Sequence, residues 1–397
     1  MRGAGRGILT INGGSSSIKF ALFPTGEPST RSLSGKVDRI GLPGTTLTFN
    51  EAEGALPGGH PFEVPDRRPA ADFLIDWLEE RIGFASVQAV GHRVVHGMQN
   101  TEPQIVTQQL LDELHGITPY DPDHLPREIE MIEAFRDRYS QLPQVACFDT
   151  AFHRDMPRVA RLLPVPRRFE AMGLRRYGFH GLSYAYLLEE LTRVAGLNAA
   201  RGRVILAHLG NGASLAAVRD GQSLDTSMGF TPAAGIPMGT RPGDIDPGVA
   251  WFMMLTENLS LKQFNDLINH QSGLLGVSGT SSDMRDLLGR EATDTRAAEA
   301  VALFCYQVKK WVGAFAATLG GLNTLVFAGG IGENAPIVRD RICDGLGFLG
   351  IELDERDNLD NAGVISTETS QVCVRVMHTD EERMIATTVR RVLGVAG

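Results

Sequence analysis

An α/β protein made of two duplicated halves is the fold class this sequence predicts, and three observations carry that expectation. Short β-branched runs, Ile8-Leu-Thr-Ile11, Val204-Ile-Leu-Ala207 and Thr324-Leu-Val-Phe327, each lead into glycine-rich turns, and the longer periodic segments between them read as helices. Residues 8–19 (ILTINGGSSSIK) lie over 205–216 (ILAHLGNGASLA), so that Gly13 meets Gly210, Ser17 meets Ser214 and Ile18 meets Leu215. That offset is about half the chain, the spacing of duplicated halves rather than of short solenoid repeats. A length of 397 residues is too long for one ordinary domain and suits two, each able to bury its own core.

In each copy of the repeat an apolar strand reaches a Gly/Ser/Asn turn and then a second strand. The tip of such a hairpin exposes several backbone N–H groups, which bind phosphate oxygens without side-chain charge. Apolar recurrence at three and four residues predicts helices over Ala70 to Ile82, Pro126 to Tyr139, Ser183 to Ala195, Arg296 to Leu319 and Glu381 to Leu393. Hydrophobic residues at 43% and charged residues at 21% are those of a globular protein. A formal charge of −9 argues against a nucleic-acid or anionic-membrane partner, so an anionic substrate must be met by locally placed Arg and Lys. No apolar run approaches the roughly 20 residues that span a bilayer, and Met1 to Thr10 lacks the apolar core of a secretory signal, which predicts a cytoplasmic protein. Cys147, Cys305, Cys343 and Cys373 lie far apart with no CxxC pair, and read as buried free thiols.

There is no G-x-x-x-x-G-K-[ST], and Gly330-Ile-Gly332 is too weak for a dinucleotide fingerprint, so phosphate binding must use another architecture. The ordered segments INGGSSSIKF, GHRVVHG, FDTAFH, RRYGFHG, HLGNGAS, SMGFTPAAGIPMGTRPGDIDPG, GGIGEN and TDEERMIA, from residue 11 to residue 386, resemble the motif set of acetate kinases. The resemblance implies the actin, sugar-kinase and heat-shock-cognate ATPase fold: two lobes with an ATP cleft between them, residues 1–152 plus 383–397 forming the N-terminal lobe and 153–382 the C-terminal, nucleotide-binding lobe. It also implies ATP-dependent, reversible phosphorylation of acetate to acetyl phosphate by direct in-line transfer, with propionate or another short acid as the alternative acceptor. A more remote alternative is an actin-like or chaperone-like ATPase with no acyl substrate. The partners implied are a small carboxylic acid, ATP or ADP, and a second copy of the chain.

Carboxylate phosphorylation sets its own requirements. The nucleophile is already ionised at pH 7 and needs no strong base. Its difficulty is repulsion from the γ-phosphate, and arginine, permanently charged and forked, suits both carboxylate and phosphate oxygens. Arg93 and Arg241 each follow glycine closely in loop-like sequence. By resemblance Arg93 holds the carboxylate, Arg241 stabilises the transferring phosphoryl group, and His180, expected on an exposed turn between Gly178 and Gly181, donates to it. Asp149 matches the catalytic aspartate, with a positioning role. Asn12 and Glu381 match the residues for Mg²⁺, for which Mn²⁺ is the substitute. Nucleotide contacts are implied for Ser15, Ser17 and Lys19, for His208, Leu209, Gly210, Asn211 and Gly212, for Asp283, Met284 and Arg285, and for Gly330, Ile331, Gly332, Glu333 and Asn334. Val95, Tyr120, Phe179 and Pro232 match the wall around the acid's methyl end. The sequence departs from the pattern at Tyr120 and Asp121, where leucine and histidine are usual, and His124 is the expected replacement for the missing histidine.

Overall fold

Both predicted hairpins form. The structure, a computed structural model of the chain, describes residues 7–14, 17–25, 30–40, 44–51, 62–63 and 70–395. The first sheet comprises β1 (Gly7–Gly13), β2 (Ser17–Pro24), β3 (Leu33–Asp38), β4 (Thr46–Glu51), β5 (Phe62–Glu63), β6 (Val87–Val94), β7 (Gln104–Ile105) and β8 (Gln144–Phe148), and the second comprises β9 (Val204–Leu209), β10 (Ala213–Arg219), β11 (Gln222–Thr226), β12 (Thr324–Ala328) and β13 (Cys373–Val376). Among the described residues the strand orders are β5-β4-β3-β2-β1-β6-β8-β7 and β11-β10-β9-β12-β13.

The duplication is visible in these orders. In the first sheet β3 and β2 run antiparallel, β2 and β1 antiparallel, and β1, β6 and β8 parallel. In the second, β11, β10 and β9 are successively antiparallel, and β9, β12 and β13 parallel. Asn12 stands opposite Lys19 in one hairpin and His208 opposite Ser214 in the other. Ile8, Leu9, Thr10 and Ile11 are all buried, as are Val204 to Ala207 and the whole of β12, which is the pattern of strands covered on both faces.

The predicted helices form as α1 (Ala70–Ile82), α2 (Leu125–Arg138), α3 (Gly181–Ala195), α4 (Thr295–Leu319) and α5 (Glu381–Leu393). Their ends obey local chemistry: Asp294 and Asp380 cap α4 and α5, and left-handed Gly320 and Gly394 close them. Helix α1 buries Ala71, Leu74, Ile75 and Leu78 against a core with Leu9, Phe20 and Phe135, each large side chain contributing roughly 1.5–3 kcal/mol. In the second half Tyr184, Leu187 and Leu191 of α3 pack on Leu206, Val218 and Val326.

The chain divides into two units, Met1–Ala151 with Asp380–Gly397, and Phe152–Thr379. The return to the first unit falls at the N-cap of α5, whereas the 382/383 boundary expected from sequence lies inside that helix. Gly91 in β6 lets α5 dock: a Cβ there would stand 2.5 Å from Ile385 Cγ2 and 2.6 Å from Val389 Cγ2. No helix among the described residues is long and apolar enough to cross a membrane. Cys147, Cys305 and Cys343 are buried free thiols, while Cys373 is only half-buried at the start of β13.

Candidate functional site

In the first unit the strand ends bring together side chains far apart in sequence. Arg93 is the penultimate residue of β6, not a loop residue as its glycine-flanked sequence suggested, because Gly91 serves helix docking rather than a turn. Beside it β8 ends and delivers Asp149, fully buried. Arg93 Nε and Nη2 both donate to Asp149 Oδ2, at 3.0 and 2.7 Å, and Nη1 donates to Asn12 Oδ1 and to Gly13 O, each at 3.3 Å. Burial works against the guanidinium charge, but Asp149, and after it Glu381, outweigh it and hold Arg93 more firmly protonated than a free arginine.

Asn12 and Glu381, from the two ends of the chain, meet in this unit. Asn12 Nδ2 donates to Glu381 Oε2 at 2.8 Å and to Glu382 Oε1 at 2.9 Å. One carboxylate and one amide oxygen suit a hard cation that keeps most of its water and phosphate ligands. The Asn12 amide oxygen, which here accepts from Arg93, and the Glu381 carboxylate could serve as two such ligands, and among the described residues there is no cluster of three or more His, Cys, Asp or Glu to hold a metal alone.

The first unit also holds Val95, Tyr120 and Asp121, the wall residues and departures that fall in this part of the chain. Val95 is buried and Tyr120 is 40% exposed. Asp121 is 4% exposed, and its Oδ1 lies 2.8 Å from His124 Nδ1, so His124 is turned onto Asp121. Glu128 on α2 is 5% exposed and accepts from the Val95 N–H at 3.0 Å. Burial, and then the nearby Asp121, push its carboxyl well above the usual carboxylate range. Sequence reasoning missed Glu128, although it interrupts the apolar stripe Leu125, Ile129, Ile132 of a predicted helix. Glu382, one residue past a predicted ligand, was missed for want of any comparable signal.

In the second unit, His180 takes a left-handed backbone at φ 59° before α3. It is 8% exposed rather than on an open turn, because Gly178 packs its backbone against His153 and Thr226. Its Nδ1 lies 2.9 Å from Ser214 Oγ, which lies 2.5 Å from the Tyr184 hydroxyl. His208 stacks on His180 at 4.3 Å between ring centroids and reaches Ser183 Oγ at 2.8 Å. Arg241 lies in a loop fastened to the second hairpin, since the Gly239 N–H donates to Asn211 O at 3.0 Å. Arg241 Nη1 donates to Pro232 O at 2.8 Å. A Cβ on Gly212 would stand 2.9 Å from Arg241 Nη2 and 3.3 Å from His180 Nε2. Two strong donors thus converge over bare backbone at a hairpin tip.

The remaining predicted contacts divide by accessibility. Ser15 lies outside the described residues; Ser17 is half-buried and Lys19 exposed. Gly210, Asn211 and Gly212 are at least partly accessible, but the Leu209 side chain is fully buried. Asp283 caps the helix Met284–Arg290 and binds Arg285 at 2.6 Å; Met284 points into the core. Gly330, Ile331 and Asn334 are accessible while Gly332 is buried. The Glu333 carboxylate turns inward, accepting from the Gly329 and Thr379 N–H groups at 2.9 and 3.3 Å and lying 2.5 Å from His378 Nδ1. Phe179 is 1% exposed and Pro232 half-buried. A residue with no sequence signal, the fully buried Arg339, donates to Gly332 O at 2.9 Å and Glu333 O at 3.1 Å, pinning this turn.

Comparison with known proteins gives a consistent result. The chain matches the Acetokinase family over residues 7–387. It is 44% identical over 394 residues to an acetate kinase of Methylocella silvestris, covering 96% of both chains, and 41% identical over 393 residues to a propionate kinase of Citrobacter rodentium, covering 97% of this chain and 96% of the other. The crystal structure of Porphyromonas gingivalis acetate kinase is similar with a TM-score of 0.86 at 37% identity, over 98% of this chain and 100% of that one.

Proposed function

This chain belongs to the acetokinase family, and from that premise we propose that it transfers the γ-phosphoryl group of ATP to the carboxylate of acetate, and the reverse. The observation that carries the reading is the convergence of Arg241 and His180 over the side-chain-free Gly212. A chaperone or filament ATPase has no use for such a pair, nor for a buried, acid-clamped arginine such as Arg93.

The acceptor arrives ionised, so the chain supplies charge and position rather than a base. Arg93, oriented by Asp149 and Asn12, takes the carboxylate. An acetate oxygen attacks phosphorus in line, the new O–P bond forms as the β,γ-bridging bond breaks, and the electron pair leaves with ADP. Arg241 and His180 stabilise the charge spread over the equatorial oxygens. With Tyr184 donating to Ser214 and Ser214 donating to His180 Nδ1, the Tyr184–Ser214–His180 chain would leave the imidazole proton on Nε2, beside Gly212. Asn12 and Glu381 would hold Mg²⁺, which neutralises phosphate charge when bound with ATP. The glycine-rich turns 210–212 and 329–334 are the nucleotide contacts, with Glu333 bracing its own turn rather than touching the ligand.

Acetate is the preferred acceptor in this proposal, with propionate second. Incubating the purified chain with ATP, Mg²⁺ and each acid in hydroxylamine, which traps acyl phosphate as hydroxamate, tests it. Hydroxamate from acetate is expected, and no hydroxamate from acetate, propionate or butyrate would sink the reading. A homodimer belongs to the same proposal, supported by the helix Pro247–Thr256, which exposes Trp251 (73%), Phe252 (66%) and Leu255 (69%). A monomer mass by light scattering would remove that part. Cytoplasmic location is supported by the free cysteines.

A further inference from the structure

Deepening the proposed function and resting on it, we infer that Glu128 binds the acyl acceptor as a neutral acid, donating a hydrogen bond from Oε1 to the substrate carboxylate held by Arg93.

The geometry begins with the backbone on either side of Arg93. Its Nη1 donates to Gly13 O, and two residues beyond it stands Val95. Glu128 reaches both places. Its Oε2 accepts from the Val95 N–H at 3.0 Å, and its Cγ lies 3.7 Å from where a Cβ on Gly13 would be, an ordinary contact distance. The carboxyl is therefore held against the two segments that frame the guanidinium. Its other oxygen, Oε1, is buried and has no hydrogen-bond partner. A buried polar atom left in that state is costly, so a ligand that satisfies it gains on binding.

Charges from each packed element decide which form Glu128 takes. Asp121, from the turn before α2, and Asp149, from the end of β8, disfavour ionisation, and Arg93 on β6 favours it; His124 acts through Asp121. Burial and two acids outweigh one arginine already clamped by Asp149. A neutral carboxyl that accepts through Oε2 carries its proton on Oε1, the atom without a partner. A carboxylate on Arg93 is the acceptor that such a proton fits. The same arrangement accounts for the aspartate at 121, where the related motif has histidine: the donor lost there reappears from α2. The competing internal reading has Glu128 Oε1 donate to Asp121 Oδ2, which is also buried and without a hydrogen-bond partner.

The test is steady-state kinetics of acetate phosphorylation by the full chain, the parent beside Glu128→Gln and Glu128→Leu, from about pH 6 to about pH 9. In the parent, KM for acetate rises on the alkaline side while KM for ATP does not, because ionised Glu128 repels the acceptor. Glu128→Gln keeps a neutral donor: it loses the alkaline rise and holds its acetate KM within about fivefold of the parent at pH 7. Glu128→Leu raises the acetate KM about 10- to 100-fold with little change in kcat. A parent KM for acetate that stays flat with pH overturns the inference, as does an alkaline rise that persists in Glu128→Gln. A merely structural bond to Val95 produces that flat profile, since an ionised carboxylate still accepts the N–H, and an Oε1 proton spent internally on Asp121 leaves the acetate KM of Glu128→Leu within about twofold of the parent, which also overturns the inference. If Glu128→Leu does not fold, the parent and Gln profiles decide alone. A parent inactive on every acid sinks the family reading instead, so the two failures are distinct.

Discussion

Arg93 and Arg241 are the same residue type set to different tasks by what surrounds them. Arg93 neutralises Asp149, which is fully buried, so removing it leaves an uncompensated charge in the core. Arg93→Ala should therefore lose about 3–5 kcal/mol of stability as well as acetate affinity. Arg241 lies in a loop and bonds a carbonyl, so Arg241→Ala should keep its melting temperature within a few degrees while kcat falls about 10²- to 10³-fold. Calorimetry and kinetics on the two variants separate these outcomes, and equal loss of stability in both would contradict the assignment. At this scale the sequence was legible where candidate residues sit in compact motifs: GHRVVHG, FDTAFH and the MGTRPGD run supply Arg93, Asp149 and Arg241 to the two clusters. It was not legible where function depends on a partner. Glu128 approaches Val95 across 33 positions and Glu382 approaches Asn12 across 370, distances that no local pattern encodes.

At the scale of elements, the longest periodic segments were readable, whereas the shorter amphipathic helices Gln108–Ile117 and Leu261–His270 were missed although each carries an apolar stripe. Helices α1 to α5 carry apolar recurrence over ten or more residues, and the repeated hairpins announce themselves by alignment. The helix Pro247–Thr256 is apolar on every face, so it has no stripe to detect, and the strand orders follow from pairing between distant segments. The turn 329–334 shows how an invisible residue fixes a visible motif. Arg339 reaches it from the next helix, and also binds Asn358 Oδ1 at 2.8 Å and Asn358 O at 2.6 Å. Burial lowers its pKa to about 10, still charged at neutral pH. Arg339→Met keeps the bulk but strands the carbonyls of Gly332 and Glu333, and should lose about 3 kcal/mol or more and raise KM for ATP more than KM for acetate. Denaturant unfolding and separate KM values check this; a variant as stable as the parent would show the pin to be dispensable.

For the whole molecule, each of the two units contains a buried histidine that must stay neutral. In the first unit His92 Nε2 lies 2.7 Å from Gln144 Oε1, and in the second His153 lies between Ser223 Oγ at 2.8 Å and Phe179 O at 3.1 Å. Burial lowers both pKa values to about 4. A depressed folded-state pKa means that the unfolded chain takes up protons first. The stabilisation is therefore whole above the ordinary value of 6.5 and drains away as pH falls toward 4, by on the order of 3 kcal/mol for each histidine. Because one histidine lies in each unit, acid weakens both cores over the same window, and neither unit should survive as a stable remnant below about pH 4.5. Scanning calorimetry from about pH 7.5 to pH 4.5 should show melting falling steeply with acid. Replacing either histidine with glutamine, which keeps hydrogen-bonding capacity without a titratable group, should flatten the slope by its share and the double replacement by about twice as much. If the acid slope is the same in His92→Gln, His153→Gln and the double variant as in the parent, the loss lies in other groups and the buried imidazoles do not set the acid limit.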